Sequence, residues 1–186
     1  MREFDLLLAE QAAPVLAGLK TANLLSVENG QFEDLPALLA RYDAAFSAKG
    51  VRFELLCACR CRSLALVYRP ERLLDDLQDA TARRILHTCG YPFQSGLSAL
   101  IAHLRQRVLE SEVFPHEIGL FLGYPPVDVH AFIQKSGKGS KLTGYWKVYG
   151  DTETARLAFA RFDRCRRAAR VRVEQGQTMF ELFSVA

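Results

Sequence analysis

The chain has 186 residues, 49% of them hydrophobic, and a formal net charge of +3; it is long enough to bury a sizeable core and too apolar for disorder. No apolar run approaches the roughly 18 residues that cross a bilayer, which excludes a membrane span. The acids Glu3, Asp5 and Glu10 interrupt the apolar pattern at the start, which argues against an export signal and for a cytoplasmic protein.

Charge is unevenly spread. From Lys135 to Arg172 there are eleven Lys or Arg against Asp151, Glu153 and Asp163, a local excess of +8 that leaves −5 on the rest. Such a basic third suits an anionic small molecule or an acidic protein partner. The total is too small for a dedicated nucleic-acid binder, so nucleic acid is disfavoured as a partner.

In chain order, "FDLLLAEQAAPVLAG" predicts a helix that Pro14 kinks or breaks, and "TANLLSV" a short strand. "LPALLARYDAAFSAKG" is a helix with Leu35, Leu38, Leu39, Tyr42 and Phe46 on one face and Gly50 as its stop. "VRFELLCACRC" and "SLALVYRP" read as an antiparallel hairpin with Arg62 and Ser63 near its turn. The period then becomes helical in "PERLLDDLQD", "ATARRILHTCG" and "SGLSALIAHLRQRVLES". Two short helices, "PHEIGLFLG" and "PPVDVHAFIQK", join at Tyr124. "KLTGYWKVYG" returns to strand, and Asp151 caps a long last helix running to about Glu174. The whole, residues 1–186, is expected as one α+β domain with a small, largely antiparallel sheet of three or four strands covered by helices.

Alternation on a strand would put Cys57, Cys59 and Cys61 on one face beside Phe53 and Leu55. A closed zinc site needs four ligands in tetrahedral spacing, and no CxxC is present, so no metal site is assigned. With five cysteines and no export signal, reduced thiols are expected. His116 and Glu117 do not form the HExxH zinc motif, because Leu120 stands where the second histidine belongs. Gly137, Lys138 and Gly139 lack the strand-before, helix-after context of a phosphate loop.

The segment "SGKGSKLTGYWKVYGD" is the most informative. As a strand it would set Tyr145, Lys147 and Tyr149 on one face and Trp146 and Val148 on the core face, with Lys138, Lys141 and the start of the last helix at Asp151 nearby. In the last helix, Ala155, Ala158, Phe159, Phe162, Cys165, Ala169 and Val173 form the apolar stripe. Arg156, Arg167 and Arg170 lie on another face with Asp163 among them.

"PVLAGLKTANLLS", "VYRPERL", "HEIGLFLGYPPVDVHAFI" and "KLTGYWKVYGDTETARLAFARF" resemble, in order, a bacterial family, the domain of unknown function numbered 3793, over nearly the whole chain. The resemblance implies no established activity, cofactor or catalytic residues. It implies a redox- or iron-linked setting.

Three readings follow. The leading one is a cytoplasmic accessory or binding protein with an anionic small-molecule site built from His116, Glu117, Tyr124, Lys138, Lys141, Tyr145, Lys147, Tyr149 and Asp151. The second is an enzyme using His116 as acid or base, with Glu117 beside it and Tyr145 or Tyr149 assisting. The third is a redox- or iron-linked module that docks an acidic protein through its basic C-terminal helix.

Overall fold

The computed structural model describes residues 2–58, 61–110 and 113–183. The chain runs α1 (Arg2–Gln11), α2 (Ala13–Leu16), β1 (Ala22–Glu28), α3 (Leu35–Phe46), β2 (Arg52–Ala58), β3 (Arg62–Tyr68), α4 (Pro70–Leu77), α5 (Ala80–Thr88), α6 (Gly96–Glu110), α7 (Ile118–Phe121) and α8 (Pro126–Gln134). It ends with β4 (Leu142–Thr143), β5 (Lys147–Val148), α9 (Thr152–Glu174) and α10 (Met179–Leu182). Pro14 separates α1 from α2 because it cannot donate the backbone hydrogen bond that a continuous helix needs. α3 starts with the Asp34 side chain accepting from Ala37 N, and the chain leaves its end through Gly50 at φ +65°.

β1, β3 and β2 form an antiparallel sheet with β3 in the centre. Both faces are covered. Leu25, Val27, Phe53, Ala65 and Val67 meet α1, α2, α3, α9 and α10 on one side, around Phe4, Leu8, Tyr42 and Phe46. Leu56, Leu66 and Tyr68 meet α4 to α8 on the other, around Leu73, Leu100, Ile101 and Phe121. The α+β class is as the pattern predicts. Within the first core the buried Asp5 accepts from Tyr42 Oη at 2.6 Å and Met179 N at 3.2 Å, joining α1, α3 and α10. That bond and burial together push the Tyr42 hydroxyl well above its ordinary pKa, burial being the larger cause.

Two details differ from the expected pattern. A bulge between Leu55 and Cys57 pairs Cys57 with Leu64, out of phase with the Leu55–Ala65 pair. Directly paired residues share a face, so the bulge takes Cys57 off the face of Phe53 and Leu55. Cys61 is exposed beyond the strand end, and Cys59 lies outside the described residues. Cys57 and Cys61 therefore do not share the strand face with Phe53 and Leu55 that alternation would give them. Among the described residues no cluster of three or more His, Cys, Asp or Glu is arranged to hold a metal, and no helix is long and apolar enough to cross a membrane.

The second difference lies in "KLTGYWKVYG". It is not one strand but a tight hairpin of two-residue strands, pairing Leu142 with Val148 and Thr143 with Lys147. The turn at Gly144 is dictated by α9. A Cβ at Gly144 would sit 2.3 Å from Phe159 Cε2, so only glycine lets the backbone lie against that ring. The expected alternation breaks accordingly: Tyr149 is 8% exposed and buried like Val148, while Lys147 is exposed.

Candidate functional site

One buried side chain ties the hairpin to α8. Asp128, in the first turn of α8, is 3% exposed. One of its carboxyl oxygens accepts from Tyr149 N and Gly150 N, and the other from Trp146 Nε1, all at 2.8 Å. A carboxyl group with three donors is a geometric clamp, and it fixes the Trp146 ring. That ring stacks on Tyr124 (centroids 5.3 Å apart, 28° between planes) and meets Phe159 edge-on at 4.6 Å. Tyr124 is placed by the α7–α8 turn. There Gly123 has φ +71°, and a Cβ would come 2.7 Å from the Thr21 side chain. Thr21 in turn donates to Asp76 on α4.

Trp146 and Asp128 separate two cavities, since both line each of them. The first, about 300 Å³, lies between α7, α8 and the hairpin. Its walls are mainly apolar, from Phe114, Ile118, Val129, Phe132 and Trp146, with His116, Tyr124 and Lys147 also lining it. The His116 ring stands edge-on to Phe132, centroids 5.0 Å apart. Lys147 Nζ donates to Gly137 O at 2.8 Å and lies 5.8 Å from the Phe132 ring centre. Burial pushes the Tyr124 hydroxyl up to about 12.

The chain matches the family described as "Protein of unknown function (DUF3793)" over residues 8–183. It belongs to this family. No curated protein and no solved structure matches it. The chemistry of this DUF3793 protein therefore has to be argued from its own residues.

Of the residues expected to form one site, His116, Tyr124 and Lys147 line the first cavity, while Asp151 lines the second. Glu117 turns away into the core: 3% exposed, it accepts from Arg107 Nε at 2.9 Å and Tyr91 Oη at 3.3 Å. Tyr145 reaches α9, donating to Asp163 at 2.8 Å and accepting from Arg166 Nη1 at 3.1 Å. Tyr149 is buried, with Lys135 Nζ 5.3 Å from its ring centre and its hydroxyl without a partner among the described residues. Lys138 is exposed, and Lys141 Nζ donates to Gly150 O at 3.2 Å. Asp151 accepts from Glu153 N and Thr154 N, so the start of α9 is already occupied by its own cap. Hydrogen bonds from the Thr154 side chain and from the Thr154 and Glu153 backbone hold the Asp151 carboxyl below its ordinary range.

The DUF3793 fold also puts groups in place that the sequence pattern did not single out. Asp128 looks like an ordinary acid in a helix first turn, and nothing in "PPVDVH" announces three donors. Lys20, ahead of β1, is 4% exposed and lines the second cavity, about 430 Å³, with Arg72, Arg161 and Thr154. In α9 the basic face serves packing as well as solvent. Arg166 Nε donates to Glu10 O, and Arg170 bridges Glu10 and Glu174 at 2.8 Å each.

Proposed function

We propose that this protein is a cytoplasmic accessory or binding protein for a small molecule with a flat apolar body and one anionic group. The ligand would lie in the first cavity, its body against Phe132, Tyr124 and Trp146 and its anionic end toward Lys147 and His116. One observation carries the reading: residues from the α7 approach, the α7–α8 turn and the hairpin converge on one largely apolar cavity of about 300 Å³ with a lysine and a histidine on it. Apolar walls with a few placed polar groups, at this size, are the usual composition of small-ligand sites. Lys138 and Lys141 would add long-range attraction rather than contact.

Trp146 is the sole tryptophan, so its fluorescence reports directly on the cavity. Titration with phenylacetate should give a saturable change in emission, with neutral phenylacetamide at least tenfold weaker. Lys147→Ala should remove that preference for the anion. Equal affinity for the acid and the amide, or no saturable change with either, would sink the proposal. Native mass spectrometry of protein purified without oxygen, beside the denatured mass, then identifies any ligand that copurifies.

A further inference from the structure

Lys20 is a buried amine, 4% exposed. Among the described residues no carboxylate forms an ion pair with it. Its Nζ donates to Asn23 Oδ1, and that amide is oriented by its own donation to Gln11 O. The Tyr124 and Tyr145 ring centres lie 5.2 Å and 5.9 Å from Nζ. The other charged residues on the same cavity are Arg72, Arg161, Asp128 and Asp151. Both acids are engaged elsewhere, Asp128 on the hairpin and Asp151 on the start of α9.

An amine is a nucleophile only when neutral, and burial without a counter-charge favours the neutral form. The two aromatic faces favour the ammonium, but desolvation opposes it and is the larger effect. Burial accordingly brings the Lys20 amine down from 10.5 to about 7. Near neutral pH a large share of Lys20 is then free amine, against roughly one part in a thousand for an ordinary lysine. The cavity of about 430 Å³ is large enough for a small molecule, and Arg72 and Arg161, which form no ion pair among the described residues, suit an anion.

We propose that Lys20 forms a reversible imine with a small aldehyde or ketone bearing a carboxylate or phosphate, whose anionic group is held by Arg72 and Arg161. The Nζ lone pair adds to the carbonyl carbon, and the carbonyl oxygen takes up the proton released from nitrogen, giving a carbinolamine. Its hydroxyl then leaves as water with the remaining N–H proton, and the C=N bond forms. No oxidant is consumed, and hydrolysis reverses the step. This site is independent of the ligand proposed for the first cavity, and its test has a separate readout.

The folded chain is incubated with glyoxylate at neutral pH and borohydride, which reduces the imine to a stable carboxymethyl amine, and peptide mass spectrometry locates the label. Lys20 should be labelled at least tenfold faster than Lys49, Lys135, Lys138, Lys141 or Lys147. Neutral acetaldehyde should label Lys20 at least tenfold more slowly than glyoxylate does, and Arg161→Ala should narrow that gap. The comparison of the two aldehydes needs no variant, so it stands even where Arg161→Ala fails to fold. Labelling of Lys20 no faster than that of the exposed lysines would overturn the nucleophile. Equal labelling by both aldehydes would overturn the anionic substrate.

Discussion

Replacing Asp128 by alanine tests whether one carboxyl group holds the hairpin in place. The side chain accepts three hydrogen bonds of 2.8 Å, from Trp146 Nε1, Tyr149 N and Gly150 N. A hydrogen bond to a charged acceptor is worth roughly 1.5–3 kcal/mol, and a buried donor left without a partner costs about 1–3 kcal/mol. Tyr149 N is buried, whereas the other two donors are part-buried and can recover water, so they fall at the low end. The expected loss is therefore about 3–5 kcal/mol, a large share of the roughly 5–15 kcal/mol typical of folded proteins. Asp128→Asn keeps one oxygen for the two backbone donors but turns an amide donor toward Trp146 Nε1, so it should cost about half as much. Urea unfolding followed by far-ultraviolet circular dichroism and by Trp146 fluorescence provides the assay. In Asp128→Ala the fluorescence midpoint should fall below the dichroism midpoint, because the hairpin leaves α8 before the sheet melts. A loss under about 1 kcal/mol, or coincident midpoints at the unaltered value, would refute the clamp.

Two further substitutions probe packing and charge. Gly144→Ala should destabilise the protein by about 1–3 kcal/mol, the range for overpacking a well-filled site, because its Cβ would fall 2.3 Å from Phe159; Phe159→Leu in the same chain should recover part of the loss in thermal unfolding. Lys20 makes stability depend on pH with a definite sign. Its folded pKa, about 7, lies below the unfolded 10.5, so the unfolded chain binds more protons between those values and stability rises with pH across that window. Below about pH 7 both states are protonated and the slope from this group vanishes. Tyr68 and Tyr124, raised to about 12, act in the opposite sense only above about 10. Lys20→Met should therefore flatten the rise in urea midpoint between pH 7 and about 10, and an unchanged rise would show that Lys20 does not cause it.

The helices and the main sheet were legible because long periodic segments declare themselves: α3, α6 and α9 fall where their apolar stripes lie, and Asp151 caps α9 as its position suggests. The hairpin was not. "GYWKVYG" alternates like a strand, yet a backbone seated on Phe159 and an acid from α8 bend it, and both partners lie outside the segment. α10 is only four residues long, too short for a periodic stripe, although Thr178 and Glu181 form a capping box that local pattern does encode. His116, Tyr124 and Lys147, far apart in sequence, line one cavity. Glu117 stands beside His116 in sequence, while its partners Arg107 and Tyr91 lie elsewhere on the chain. Lys20 was invisible, since nothing local marks a lysine that folding will bury between two tyrosines.

The pairing of α1 with α9 also has a kinetic consequence. Arg170 reaches Glu10 across 160 residues, and Ala169 and Val173 share a core with Phe4 and Leu8. A ribosome releasing this chain would finish the first helix long before the helix that covers it. Until then the apolar stripe of α1 stays uncovered, and closing so long a loop comes late because its entropy must be overcome before any contact forms. Refolding should accordingly end with a slow phase in which this sandwich half completes, and nascent chains ending before α9 should be the ones that chaperones hold.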